Sequence, residues 1–291
     1  MTTWLSPDAA RAITIRGFGD WVDALDATVV RLCERFALQP IELLSGGTMG
    51  AVIRAKTQDG QGVVLKTSPS IETMIAERQF LERLAPGAGP RVLFSEPGSM
   101  VMELLEGSTE SGHLGDDAAV GALVALNFWS SADPGTTSDI SETLGTIAVR
   151  LSTRDPRLAA EFSDTEEAIR RVWAGEALWC HGDLQAENLF WDGQRLRIID
   201  PLPVWAPKGL DIGYWAVDPL RSGPVSRRLT LLSQAFTLST HEIHTWATLG
   251  AAQHLSWLWH HDVRPELSSR VEVTLRELIS GRGLPGSDVR F

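Results

Sequence analysis

The sequence contains only two cysteines, Cys33 and Cys180, and a single tyrosine. Two thiols so far apart, with no metal-ligand spacing, exclude a disulfide framework and a cysteine-based zinc site, and they read as reduced. Basic residues are outnumbered: 26 Lys and Arg against 37 Asp and Glu give a net charge of −11. That balance works against a nucleic-acid or anionic-membrane partner and is compatible with a cationic small molecule. No long hydrophobic run is present. The longest, Ala118 to Trp129, is interrupted by Gly121 and Asn127 and is too short to cross a bilayer. Met1 to Asp8 shows no basic segment followed by an apolar core, so no secretory signal is read and a cytoplasmic location is expected. Low-complexity segments are also lacking. What remains, 43% hydrophobic and 22% charged residues over 291 positions, is a globular composition sufficient for one large domain or two lobes around a cleft.

Ser6-Pro7-Asp8 is a helix start, and Trp21, Leu25, Val29, Leu32 and Phe36 recur at helical spacing over Asp20 to Phe36. From Ile41 the pattern changes to short β-branched runs: Ile41 to Ser45, Ala51 to Lys56 and Gly62 to Thr67. Asp59-Gly60 is the hairpin turn between the last two. The turn Ser45-Gly46-Gly47-Thr48-Met49-Gly50 is either a flexible hairpin or a loop whose amides, unobstructed by Cβ atoms, approach phosphate oxygens. Gly46, Gly47 and Gly50 are the candidates for that contact. Lys66 lies in Val63-Val64-Leu65-Lys66, which resembles the kinase V-A-I-K strand whose lysine reaches the α- and β-phosphates. In the next helix, Ser70 to Leu84, Glu77 is placed to pair with Lys66, with Glu72 as the alternative. Strands Arg91 to Ser95 and Met100 to Leu105 complete five in this half. Glu103 and Leu105, within Met102-Glu103-Leu104-Leu105, are read as a hinge whose backbone pairs with a purine edge.

The second half is mainly helical, with predicted helices at 118–129, 140–152, 158–174, 224–238, 241–260 and 265–279. One stretch interrupts it: Cys180-His181-Gly182-Asp183-Leu184, then Asn188, the turn Asp192-Gly193, and Ile199-Asp200-Pro201. The order H-x-D-x-x-x-x-N followed by an aspartate after a hairpin suits metal-assisted phosphoryl transfer. One carboxylate (Asp183) meets the acceptor hydroxyl, while an amide (Asn188) and a second carboxylate (Asp200) hold the Mg²⁺ that neutralises nucleotide phosphates. Only a short stretch separates Asp200 from Asp211-Ile212-Gly213-Tyr214-Trp215, and no A-P-E segment follows. A small-molecule acceptor is therefore expected rather than a protein.

His181-Gly182-Asp183-Leu184 with Asn188, Ile199-Asp200-Pro201 and Gly209-Leu210-Asp211 together resemble the aminoglycoside phosphotransferase family of kinase-like resistance enzymes. They are most similar to its streptomycin and hydroxyurea branch, and the resemblance extends over about Ile41 to Phe236. It implies an α+β, two-lobed protein-kinase-like fold: a five-stranded antiparallel nucleotide lobe over 1–105 with an N-terminal helical extension, and a helical catalytic and acceptor lobe over 106–291. It also implies ATP or GTP with Mg²⁺, Asp183 as the catalytic carboxylate, His181 as a brace of the catalytic loop, and a monomer or simple homodimer. Asp211 is either the family's loop-bonding aspartate or an ordinary helix cap. The chain departs from the family in its shortened glycine loop and in its first forty residues, which serve either specificity or packing. Trp257, Trp259, His260, Asp262 and Glu266 are read either as core or as an acceptor pocket with an acidic rim that attracts ammonium groups. His241-Glu242-Ile243-His244 lacks the H-E-x-x-H spacing and reads as a surface helix rather than a zinc site. The competing readings are a metabolic kinase for an amino sugar, choline-like alcohol or homoserine, and a catalytically inactive kinase-like binding module.

Overall fold

The computed structural model describes residues 4–44, 50–109, 114–130, 140–174, 176–262 and 264–281. The chain divides into two compact units, Met1–Glu106 and Gly107–Phe291.

The first unit opens with helices α1 (Pro7–Ile15) and α2 (Gly19–Phe36). Ser6 caps α1 by accepting from the Ala9 amide at 3.2 Å, and Pro7 occupies the first turn, where a missing N–H costs nothing. Strands β1 (Leu38–Leu43), β2 (Ala51–Thr57), β3 (Gly62–Thr67), β4 (Val92–Glu96) and β5 (Ser99–Glu103), with helix α3 (Ile71–Arg83) between β3 and β4, complete it. The five strands form one antiparallel sheet in the order β1-β2-β3-β5-β4.

Side chains on a strand alternate between faces, so β3 supplies two cores. Val63 and Leu65 join Ile13, Leu25, Val29, Leu32, Ile53 and Val101 on the α2 side. Val64 joins Met74, Leu81, Met100 and Met102 on the α3 side. Residues 63–67 are consequently all buried. Helices α1 and α2 thus cover one face of the sheet, so this segment packs on the first unit's core.

In the second unit a three-stranded sheet, in the order β6 (Ser108–Thr109), β8 (Leu189–Trp191), β9 (Leu196–Ile198), and a two-stranded pair, β7 (Leu178–Cys180) with β10 (Val204–Ala206), are embedded among helices. The helices are α4 (Asp116–Leu126), α5 (Ile140–Arg154), α6 (Pro156–Ser163), α7 (Glu166–Trp173), α8 (Gly209–Ala216), α9 (Val225–Phe236), α10 (Thr240–His261) and α11 (Pro265–Ile279). The predicted helix over 158–174 is in fact two. Ser163-Asp164-Thr165 carries side chains that compete for backbone groups, and the Thr165 hydroxyl takes the Phe162 carbonyl at 2.6 Å. His244 also departs from expectation. It is 5% exposed, inside the core rather than on a helix surface, while Glu242 completes a capping box with Ser239. Among the described residues no helix is long and apolar enough to cross a membrane.

Leu25 is fully buried between α2 and the sheet. Leu25→Ala is expected to lower unfolding stability by about 2–5 kcal/mol, the usual cost of a core cavity. Urea or guanidinium titration measures it, and a loss under 1 kcal/mol would contradict a core that extends from the N-terminal helices into the sheet.

Candidate active site

The first unit contributes an ion pair. Lys66 points from β3 to the α3 face of the sheet, where its Nζ donates to both carboxylate oxygens of Glu77 at 2.7 Å. Both side chains are enclosed, at 9% and 2% exposure, so the pair is held out of water and each charge depends on the other. Glu72, the alternative partner, lies on the exposed first turn of α3. Gly50 stands at the entry to β2. A Cβ there would lie 2.2 Å from the Thr67 carbonyl oxygen, so the sheet itself demands glycine at this point. Gly46 and Gly47 lie outside the described residues. Glu103 closes β5 with its backbone N–H donated to the Arg91 carbonyl at 2.9 Å and its carboxylate accepting from the Arg91 N–H at 3.3 Å. Its own N–H is thus engaged within the sheet edge. Leu105 follows the strand and is partly buried.

The second unit holds the carboxylates. After β7 the chain passes through His181-Gly182-Asp183 into a short 3₁₀ turn, Ala186–Asn188, which leads directly into β8. β8 and β9 are antiparallel, and the Ile199 N–H donates to the Asn188 carbonyl at 2.9 Å, which brings Asn188 and Asp200 to the same end of the hairpin. Asp200 has φ 55°, a left-handed conformation uncommon for a non-glycine residue and typical of sites where the surroundings fix the backbone.

His181 ties these segments together. Its Nδ1 accepts from the Asp183 N–H at 3.3 Å, so Nε2 carries the proton and donates to the Ile199 carbonyl at 2.9 Å. Its own carbonyl accepts from the Leu202 N–H at 2.9 Å. Gly182, at φ 78°, would place a Cβ 2.0 Å from the Leu202 oxygen, so no other residue fits between the loop and the segment after Asp200.

Asp183 Oδ2 accepts from Asn188 Nδ2 at 2.9 Å and from Gln185 Nε2 at 3.2 Å, and the same Asn188 nitrogen also meets the Asp183 carbonyl at 2.9 Å. The residue is partly exposed. Burial, and next the negative charge of Asp200, push its pKa up to about 7 against the pull of the two amides. Two neighbouring carboxylates and an asparagine whose oxygen remains as its ligating atom make an all-oxygen donor set. Such a set fits a hard divalent cation, which also removes the repulsion that raises Asp183. Among the described residues there is no cluster of three or more His, Cys, Asp or Glu that could hold a metal ion by itself.

Asp211 is wholly buried at the start of α8. It accepts from the backbone N–H groups of His181 at 2.7 Å and Gly182 at 2.8 Å, and from Trp129 Nε1 at 2.9 Å. Burial raises its pKa to about 6 despite these donors. Of the two readings for this residue, the loop-bonding aspartate is the one observed. Asp218, 0% exposed, does the same for the next turn: its oxygens accept from the Ala186 N–H at 2.5 Å and the Leu220 N–H at 2.8 Å. Trp129, Gln185 and Asp218 were not among the residues expected from the motif. Trp129 ends an apolar run and Asp218 follows one, and a polar group in such a context stays buried only when bonded.

Of the residues read as an acceptor pocket, Trp257 and His260 are brought together through His261. Trp257 lies 4.8 Å from His261, which lies 4.8 Å from His260, measured between ring centroids. Trp259, two residues from Trp257 on α10, falls on a different face. Asp262 caps α10 in a left-handed conformation and pairs with Arg154, so its charge is already met. Glu266 is in the exposed first turn of α11.

The model of the phosphotransferase enzyme family matches residues 40–201, more than half of the chain. The chain belongs to this family. Solved structures reproduce the fold at low identity. The aminoglycoside phosphotransferase APH(4)-Ia, solved with AMP-PNP and hygromycin B, has 15% identity and a TM-score of 0.64, covering 87% of this chain and 98% of its own. The choline kinase LicA from Streptococcus pneumoniae has 15% identity and a TM-score of 0.66, covering 88% and 99%. A choline kinase from Cryptosporidium parvum has 11% identity and a TM-score of 0.62, covering 88% and 94%. No curated protein matches the sequence. This member of the phosphotransferase family therefore has the two-lobed kinase-like α+β fold, and the relatives on that fold act on chemically different acceptors.

Two substitutions probe the supports of the site. Glu77→Ala leaves the Lys66 ammonium buried without its partner and is expected to cost about 3–5 kcal/mol of stability, read by denaturant unfolding. Asp211→Asn replaces an accepting oxygen by a donor among three N–H groups. It should cost about 1–3 kcal/mol, and a variant as stable as the parent would show that the loop does not rely on Asp211.

Proposed function

We propose that this phosphotransferase moves the γ-phosphoryl group of ATP or GTP to a hydroxyl of a polar, cationic small molecule of the aminoglycoside type, in the manner of a streptomycin-like resistance kinase. The observation that carries the reading is the Asp183 carboxylate, held by the Asn188 and Gln185 amides and raised by burial and by Asp200. Burial, the largest cause of the upward shift, makes this carboxylate a better acceptor of a hydroxyl proton than one in the ordinary range.

Each residue then has a separate task. Asp183 receives and orients the acceptor hydroxyl. Asn188 and Asp200 would hold Mg²⁺, which supplies charge neutralisation at the nucleotide phosphates when bound. His181 keeps Asp183 and the Ile199-Asp200 segment in register. In the first unit Lys66, aligned by Glu77, is assigned to the α- and β-phosphates, Gly46, Gly47 and Gly50 to the phosphate loop, and Glu103 and Leu105 to the base. With no covalent step required of the protein, its contribution is positioning and electrostatics. The acidic net charge of −11 supports a cationic acceptor and draws it by long-range attraction.

Nucleotide consumption across a panel of aminoglycosides, choline-like alcohols, amino sugars and homoserine tests the acceptor class, with drug resistance in a host cell as the second readout. Turnover confined to simple amino alcohols or homoserine would replace the resistance reading by a metabolic one, and nucleotide-dependent thermal stabilisation without turnover would favour a binding module. Asp183→Asn is expected to lower kcat by about 10²–10⁴ with little change in Tm, and Asp200→Ala to abolish Mg²⁺-dependent turnover. Activity at the parental rate in either variant refutes the assignment.

A further inference from the structure

Away from the catalytic loop, a cavity of about 390 Å³ opens in the second unit between the segment following α8, helix α9 and helix α11. Three guanidinium groups line it, those of Arg221, Arg228 and Arg270, together with apolar walls from Val217, Val225 and Val273. The charge around it does not balance. Arg221 is 4% exposed, lies over the Trp215 ring at 4.3 Å and is met by Asp116 at 3.0 Å. Asp218 also lines the cavity, but both its oxygens are committed to the backbone amides of Ala186 and Leu220.

Arg228 is the unusual member. It is 1% exposed, and its hydrogen-bond partners among the described residues are all neutral carbonyls: Nε donates to Ala216 at 2.7 Å, and Nη1 to Ser222 at 3.3 Å and Gly223 at 3.2 Å. Its Nη2 has no hydrogen-bond partner and its charge no carboxylate ion pair among the described residues. Arg270 reaches only the Arg221 carbonyl, at 3.5 Å. Burying a guanidinium without a counter-ion is costly, and a cavity beside it gives the missing charge a place. Desolvation and the like charges of Arg221 and Arg270 depress the pKa of Arg228, in keeping with an incomplete environment, although Asp116 and Asp218 act in the opposite sense. Neither Arg228 nor Arg270 is met by a carboxylate among the described residues.

We propose that this cavity is a binding site for a small organic carboxylate, with the carboxylate on Arg228 and Arg270 and its apolar body against Val217, Val225 and Val273. The two guanidinium groups without a carboxylate partner select an anion, and the valine walls select an organic anion over an inorganic one. The site is independent of phosphoryl transfer, yet it shares Asp218 with the turn that carries Asn188.

Benzoate serves as the probe and benzyl alcohol as its uncharged counterpart, followed by saturation-transfer NMR and by thermal shift at constant ionic strength on the full chain. Benzoate is expected to bind in the millimolar range and benzyl alcohol at least about tenfold more weakly, the worth of one charge-assisted hydrogen bond. Arg270 and Val273 are both exposed, so their variants should fold. Arg270→Glu should weaken benzoate at least about tenfold by reversing the charge, and Val273→Trp should block the cavity with no change of charge. Absence of benzoate binding to the parent, equal binding of benzyl alcohol, or benzoate binding that persists in both variants would each overturn the proposal.

Discussion

The catalytic loop of this phosphotransferase is suspended from one buried carboxylate. Asp211 receives the amides of His181 and Gly182 and the indole of Trp129, and through them a three-residue strand, a loop and a helix are joined at a single point. A carboxylate alone among apolar side chains would be expelled or protonated, whereas three donors aimed at it make burial tolerable and transmit rigidity to the loop. Asp218 repeats the device one turn on, taking the Ala186 amide. The loop bearing Asp183 and Asn188 therefore owes its shape to two aspartates outside the motif, while His181 stitches it to the strand before Asp200.

The first unit is built on a comparable dependence. The two-residue period of β3 gives Val63 and Leu65 to one core and Val64 to the other, which leaves Lys66 on the face covered by α3. Lysine is tolerated there because Glu77 occupies the same helix face as Met74 and Leu81, so packing of the helix and neutralisation of the charge are a single event. Loosening α3 would release both.

Much of this was legible in the residues. Strands β1 to β5 announce themselves by alternation and by Asp59-Gly60, α2 by its repeat of Leu25, Val29 and Leu32, and the chemical residues by a motif whose order has few other uses. The pairing of Lys66 with Glu77 followed from helix periodicity. Other features left no local trace. β7 and β10 have three residues each, too few to display a period, and their pairing is a tertiary event. The division between α6 and α7 depended on side-chain competition at Ser163-Asp164-Thr165, which helical apolar spacing masks. His244 is buried because α10 runs through the core, and the polar residue type concealed that. The pairing of Asp262 with Arg154 joins residues far apart in the chain, which proximity in sequence does not convey. Two of the tryptophans have distinct roles: Trp129 donates a hydrogen bond to Asp211, which a phenylalanine or leucine could not do, and Trp215 is a platform for Arg221.

The two bonds made by the Asn188 amide nitrogen carry a lesson about charge economy. An aspartate at that position would be a stronger cation ligand in isolation, yet it has no proton to give Asp183 and would set a third carboxylate beside two that already repel each other. With asparagine, the nitrogen donates to Asp183 while the oxygen would be left for the proposed cation, and the local negative charge stays at a level that a single divalent ion could offset. The amide is thus a limiter: it sets how far the pocket can go toward anionic character before its own base ceases to be one.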